Sequence, residues 1–350
     1  MPPNEPLSPA AVSCRADYDF MTSVVRRDYA GFPDKVPGHE SALAALEDSV
    51  GSSVRAAADL SACTAALVRW IGFFHDHHLQ VYDTLQTSSA RRAPTTPVDS
   101  AAARQRVLSV RWLDDSTAVL RLPNFGQRQK PAIDSLVAAH RARLLATPYL
   151  IIDIRGNGGG WTGSYSSVIP LVYTGPIRMY GMEAWASEGN IANVREMLGS
   201  PNTPEEIKAQ IRAMLPRLEA GRGTFVVMEG EHEFRLDTVH PLPRSVAILV
   251  DRLCASTCEQ FVLDAGQSSK VTVFGTANTG GFLDYGNVRT IRLPSGERTL
   301  RVPTTRSGRL PEQPLDATGI APEVRIPRDE ADAVEFARRY LHSQARSRPN

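Results

Sequence analysis

The sequence predicts an α/β fold with a helical N-terminal part, and three observations carry that prediction. Residues up to about Leu85 place apolar side chains three and four apart in ADYDFMTSVVRRDYAGF, ESALAALEDSV and SACTAALVRWIGFFHDHH, the spacing of one buried helix face. YLIIDI, SVAILVD and KVTVFG are short apolar runs of strand length, and the first two lead through polar or glycine-containing turns towards helical patterns. VRTIRLPSGERTLRV alternates apolar and polar residues on both sides of PSGE, as a hairpin does.

In chain order this gives a helical cap domain over residues 1–90, a linker over 91–106 and an α/β core over 107–345. The linker is marked by the Ser, Ala, Thr and Pro of TSSARRAPTTPVDSAAARQ. VLSVRWL and TAVLRLP flank the turn signal DDS and predict a second hairpin, followed by a helix from Pro131 to Leu145. ANVREMLGSPNTPEEIKAQIRAMLPRLEAG, polar and interrupted by Pro, predicts a helical insertion near 190–222. No internal repeat is present.

Thirty-nine basic residues against 38 acidic ones leave a net charge of +1, so no global field favours nucleic acid or an anionic membrane. The longest apolar runs fall far short of the roughly 20 residues that cross a bilayer, and a soluble protein with no membrane span is expected. MPPNEPLSPAAVSC shows neither the basic start nor the apolar stretch of an export signal. Four cysteines are too few for a disulfide scaffold and form no CxxC pair; Cys14 and Cys63 either bridge two helices or are two buried thiols.

Chemistry concentrates in three places. YLIIDIRGNGGGWTG sets a glycine-rich turn after a buried strand, and Gly158, Gly160 and Gly163 satisfy GxGxxG. Asp153 and Arg155 just before the turn argue against a dinucleotide fold, and the same glycines suit a second use: without Cβ atoms, backbone N–H groups can hold a developing oxyanion. Ser256, just beyond SVAILVD, stands where a serine can expose a nucleophilic hydroxyl while the N–H of Thr257 points the same way. Its plain alternative is a helix N-cap. FHDHHLQV supplies His75, His77 and His78; no HExxH or paired CxxC supports a metal site, and a neutral imidazole is the commonest base for a serine hydroxyl. Spacing alone does not choose among the three.

Taken together, DHHLQV, LIIDIRGNGGG, ILVDRLCASTCEQF, VFGTANTGGFLDYGN and LDATGIAPEV resemble, in order, the landmarks of the tail-specific and tricorn-core serine peptidases. Those landmarks are DGHT, RxNGGG, SASxxE, GxxTxG and an acid three residues before GIxPD. The resemblance runs from about Val107 to Ile326 and reaches the N-terminal part only loosely. It implies Ser256 as nucleophile, His78 as base, Gly158, Gly159 and the N–H of Thr257 as oxyanion hole, and Asp316 where tricorn-like members carry an orienting glutamate. It also implies a crotonase or Clp-protease-like core of spiralling ββα units behind a helical cap. A peptide or protein substrate, no cofactor and a periplasmic or secreted location follow from it as well.

The departures are informative. Where the tail-specific branch carries a lysine base, this sequence has Gly281, and Lys35, Lys130, Lys208 and Lys270 all lie elsewhere; the histidine-dependent branch fits better. The linker is too short for a peptide-binding PDZ domain. Cys254 and Cys258 replace small residues of the motif, either as buried packers or as a pair across the first helical turn that ties nucleophile geometry to redox state. Asp316 is one methylene shorter than the family glutamate. The altered DGHT motif and this shortened acid also suit a binding protein that holds a peptide or apolar ligand on the peptidase scaffold without cutting it.

Overall fold

A computed structural model describes residues 7–84 and 107–346. The whole of the expected linker, 91–106, lies outside the described residues together with 85–90. Two compact units divide the chain. Unit one takes the residues up to Thr95 with Tyr180–Gly230 and Asp284–Gln313, and unit two takes Thr96–Met179, Glu231–Leu283 and the chain from Pro314 onward. The sequence predicts contiguous domains, whereas the units interleave.

Unit two holds a six-stranded sheet built from β2 (Ser109–Asp114), β3 (Thr117–Arg121), β4 (Tyr149–Asp153), β9 (Ser245–Val250), β10 (Val271–Gly275) and β13 (Val324–Arg325), in the order β13-β10-β9-β4-β3-β2. Only the β2–β3 hairpin is antiparallel; the other neighbours run parallel, and β5 (Ile177–Met179) and β8 (His232–Phe234) form a separate antiparallel pair in this unit. Period-two alternation explains the buried strands. Leu150 and Ile152 of β4, with Val246, Ile248 and Val250 of β9, face one core that includes Phe261 and Val262. Tyr149, Ile151, Ala247 and Leu249 face the other, against Val334, Ala337 and Leu341 of the C-terminal helix Ala333–Arg346. Because both faces are covered, these strands read as continuous apolar runs. The expected helix after the first hairpin is present at Lys130–Leu144.

Unit one joins the N-terminal helices Pro9–Asp28, Glu40–Arg55 and Leu60–Ile71 to a five-stranded antiparallel sheet. Its strands are β1 (Gln80–Asp83), β6 (Met182–Trp185), β7 (Phe225–Glu229), β11 (Tyr285–Arg292) and β12 (Arg298–Ser307). Met21, Leu67, Trp70 and Phe74 from the helices pack with Val81, Leu300 and Val302 from the strands. A Cys14–Cys63 disulfide ties the first of those helices to the third. The helical reading up to Leu85 is therefore corrected at its end, where β1 pairs antiparallel with β12. Residues 190–222 form two helices, Glu188–Gly199 and Glu205–Ala220, between β6 and β7.

Candidate active site

The nucleophile candidate sits where β9 hands over to the helix Thr257–Ala265. Ser256 adopts φ 57° and ψ −120°, a region that non-glycine residues occupy only when their surroundings hold them there. Those surroundings are dense. Asp251 Oδ1 accepts from the N–H groups of Leu253 and Cys254 at 3.0 and 3.2 Å, and from Gly156 N–H at 2.9 Å, so one carboxylate oxygen ties the glycine turn to the serine turn. Ala255 N–H donates to the Asn157 carbonyl at 3.1 Å, and Gly280 N–H donates to the Cys254 carbonyl at 2.8 Å.

Glu259, fully buried, is the other anchor. Its carboxylate accepts from Ser256 N–H at 2.9 Å, Phe282 N–H at 2.8 Å, Gly281 N–H at 2.8 Å and the Thr279 hydroxyl at 2.6 Å. Ser256 and Glu259 thus have the outline of a capping box. The Glu259 N–H, however, is donated to the Ser256 carbonyl at 2.8 Å, and the serine side chain, although set towards that N–H as in a capping box, makes no cap hydrogen bond to it. Ser256 occupies the N-cap position without performing the N-cap's task.

Two of the predicted oxyanion residues, Gly159 and Thr257, meet at this turn. A Cβ built on Gly159 would lie 2.6 Å from the Ala255 carbonyl oxygen, 2.9 Å from Thr257 N and 3.0 Å from Ser256 Cβ, and its φ is +91°. Only glycine fits so close an approach at that φ. Its N–H is already donated to Asn157 Oδ1 at 2.9 Å. This moves Gly159 from the expected donor role to that of a spacer. Gly158 is exposed, Thr257 opens its helix, and neither N–H has a hydrogen-bond partner among the described residues.

The glycine turn does not continue as a dinucleotide site would. After it comes a four-residue 3-10 turn, Thr162–Tyr165, in place of the expected helix, so the turn does not open a helix of its own. A Cβ at Gly160 would lie 2.3 Å from the Phe125 backbone, which explains that glycine as a packing requirement. Asp153 pairs with Arg155 at 2.7 Å, and the Asp153 carbonyl accepts from Arg121 Nη1 at 2.7 Å.

Asp316 is buried, and its Oδ1 accepts from Leu283 N–H at 2.8 Å. Gly281, where a lysine base would stand, has φ +74°, and a Cβ there would lie 2.6 Å from the Asp316 carbonyl oxygen. The backbone at this position therefore excludes a lysine.

His78 belongs to unit one and is held from two sides. Its Nδ1 lies 2.7 Å from the Tyr285 carbonyl oxygen, and because a carbonyl only accepts, Nδ1 carries a proton in this contact. Its own N–H donates to Asp76 Oδ1 at 2.8 Å, while Asp76 Oδ2 accepts from the Tyr29 hydroxyl at 2.7 Å. Burial pushes the Asp76 carboxyl above its ordinary value against the pull of these bonds. His75 and His77 are exposed. No group of three or more metal-ligating side chains occurs among the described residues. Three side chains that brace the turns, Asn157, Asp251 and Tyr29, escape the sequence reading; the first two stand inside the quoted RGNGGG and LVDRLC segments, where an acid or amide at a strand's end is the available signal.

The model of a family described as Peptidase family S41 matches residues 116–326. No curated protein matches the chain. Among solved structures, a candidate peptidase from Parabacteroides merdae is 16% identical, with 97% of this chain and 99% of that chain covered and a TM-score of 0.63. Mature CPAF in complex with lactacystin is 13% identical, with 96% and 98% covered and a TM-score of 0.63. A lipoprotein from Streptococcus agalactiae is 13% identical, with 97% and 99% covered and a TM-score of 0.51. At these identities the likeness shows the shared fold.

Proposed function

Because the chain belongs to peptidase family S41, we propose that it is a serine peptidase working through a Ser256–His78 acyl-enzyme mechanism. The observation that carries this reading is the Ser256 turn itself: a serine at φ 57° whose hydroxyl makes no cap hydrogen bond, followed by a Thr257 N–H with no hydrogen-bond partner among the described residues. Such strain persists where a particular hydroxyl direction is needed.

In this mechanism His78 Nε2 takes the Ser256 proton as Oγ bonds to the substrate carbonyl carbon. The N–H groups of Gly158 and Thr257 receive the oxyanion, with Gly159 supplying the room for both. The imidazolium then protonates the leaving amine as the C–N bond breaks, and water hydrolyses the acyl-enzyme by the reverse sequence. The Tyr285 carbonyl fills the orienting role at Nδ1 that an acid plays elsewhere. Asp316 acts at one remove, fixing the main chain at Leu283, two residues before Tyr285.

All four cysteines are paired, Cys14 with Cys63 and Cys254 with Cys258, which supports folding in an oxidising compartment, periplasmic or outside the cell. The test of function uses a fluorophosphonate probe and a peptide library on wild type, Ser256→Ala and His78→Ala. Both variants should lose about 10³-fold or more in turnover, and Ser256→Ala should not label. Equal labelling of wild type and Ser256→Ala would remove the nucleophile assignment; tight peptide binding with no turnover by wild type would favour a ligand-binding protein on this scaffold.

A further inference from the structure

Cys254 and Cys258 are joined, with their Cα atoms 5.3 Å apart, so the segment CASTC is a closed ring with Ser256 at its centre. Both cysteines are fully buried. Around the ring, the N–H groups of Cys254, Ala255, Ser256 and Cys258 are donated to Asp251, Asn157, Glu259 and Ala255 respectively. The Thr257 N–H is the exception.

A serine opening a helix has a competing conformation. An ordinary N-cap lies in the extended region, and its hydroxyl accepts from an N–H of the first turn. Ser8 and Ser187 of this chain do so, at ψ 156° and 159°, accepting from Ala11 N–H and Asn190 N–H. Ser256 has the same helix-opening place, yet it stands at φ 57° and ψ −120° with its hydroxyl uncommitted. Something must prevent the relaxation that the other two serines have undergone. The disulfide spans the residues that would have to rotate.

Resting on the peptidase reading, we propose that the Cys254–Cys258 disulfide is a positioning element for the nucleophile, holding Ser256 out of the N-cap conformation. Opening the ring lets Ser256 swing to negative φ, accept a first-turn N–H with its hydroxyl oxygen as a cap and turn the Thr257 N–H out of place. Full burial of both sulfurs makes this a permanent clamp, set during folding and out of reach of thiols in the folded protein.

The test compares full-length wild type with Cys254→Ala/Cys258→Ala. Cys254→Ser/Cys258→Ser is carried alongside should the alanine pair not fold, and Cys14→Ala/Cys63→Ala serves as control for losing a disulfide elsewhere. Two readouts are taken: a crystal structure for the Ser256 dihedrals, and the rate at which an activated ester acylates Ser256 with release of its alcohol, resolved into binding and bond formation. Ser256 should move to negative φ with its hydroxyl on a first-turn N–H. The bond-forming step should slow by about 10- to 100-fold, the factor by which releasing one strained residue shifts a two-state equilibrium, with reversible binding unchanged. The control should acylate at the wild-type rate. Ser256 remaining near φ 57° in the opened ring, or acylation persisting at the wild-type rate, would overturn the clamp. Movement of Ser256 in a protein whose wild type never acylates would leave the clamp standing and bring down the peptidase reading instead.

Discussion

Replacing Glu259 by glutamine and by alanine should separate what its charge does from what its shape does. Glu259 Oε1 accepts from the Thr279 hydroxyl and Gly281 N–H, and Oε2 from Ser256 N–H and Phe282 N–H. A glutamine oxygen can serve only one of these pairs. Placed at the Oε2 position it keeps Ser256 and Phe282 satisfied, and the amide nitrogen then faces a hydroxyl that can turn to accept and the Gly281 N–H, which cannot. One buried donor is orphaned, at about 1–3 kcal/mol, and the two retained bonds lose their charge assistance at about 1 kcal/mol each. Glu259→Gln should therefore lose about 3–5 kcal/mol in urea unfolding while acylation of Ser256 stays within about tenfold of wild type. Glu259→Ala strands four donors around a cavity and should fall further in both, by about 100-fold or more in acylation. An alanine variant that folds and acylates at the wild-type rate would refute the claim that this carboxylate holds the nucleophile turn.

Other substitutions probe the remaining contacts. Gly159→Ala drives a methyl into the Ala255 carbonyl at 2.6 Å and imposes φ +91° on alanine, so acylation should drop by about 100-fold in a protein whose far-UV circular dichroism is unchanged. Asp76→Asn keeps both hydrogen bonds, the amide oxygen accepting from His78 N–H and the amide nitrogen donating to Tyr29. Because burial raises the Asp76 carboxyl, its favourable contribution is present below the unfolded value near 3.8 and is lost as pH rises through the folded one. Asp76→Asn should thus gain stability relative to wild type from about pH 4 upward, and a constant difference across denaturant melts at pH 4 to 8 would contradict that sign. Removing the Cys14–Cys63 bridge, which spans 49 residues, should cost about 4 kcal/mol on the chain-entropy account, read as a fall in the urea midpoint.

What the sequence discloses and what it hides divide along local and non-local lines. YLIID and SVAIL announce buried strands because a two-residue period and covered faces are properties of the segment itself, and both hairpins are legible in VLSVRWL with TAVLRLP and in VRTIRL with RTLRV for the same reason. β1 is hidden because DHHLQVYD is too short to show a period, and its pairing comes from Arg298–Arg301, more than two hundred positions later. The interleaving of the two units is hidden likewise, since it rests on β12 pairing with β1, β6 and β11 together.

The site follows the same division. Residue types and their order point to Ser256, His78 and the glycine turn, but the φ of Ser256 is written nowhere in CASTC; it is imposed by Asp251, Asn157, Glu259 and a disulfide acting at once. Gly281 shows the converse. A sequence comparison records only that a lysine is missing there, whereas the positive φ and the Asp316 carbonyl 2.6 Å from any Cβ show that the backbone has no place for one. On the proposed mechanism the base then comes from elsewhere in the chain, and His78, with its Nδ1 held by the Tyr285 carbonyl, is the residue proposed for it.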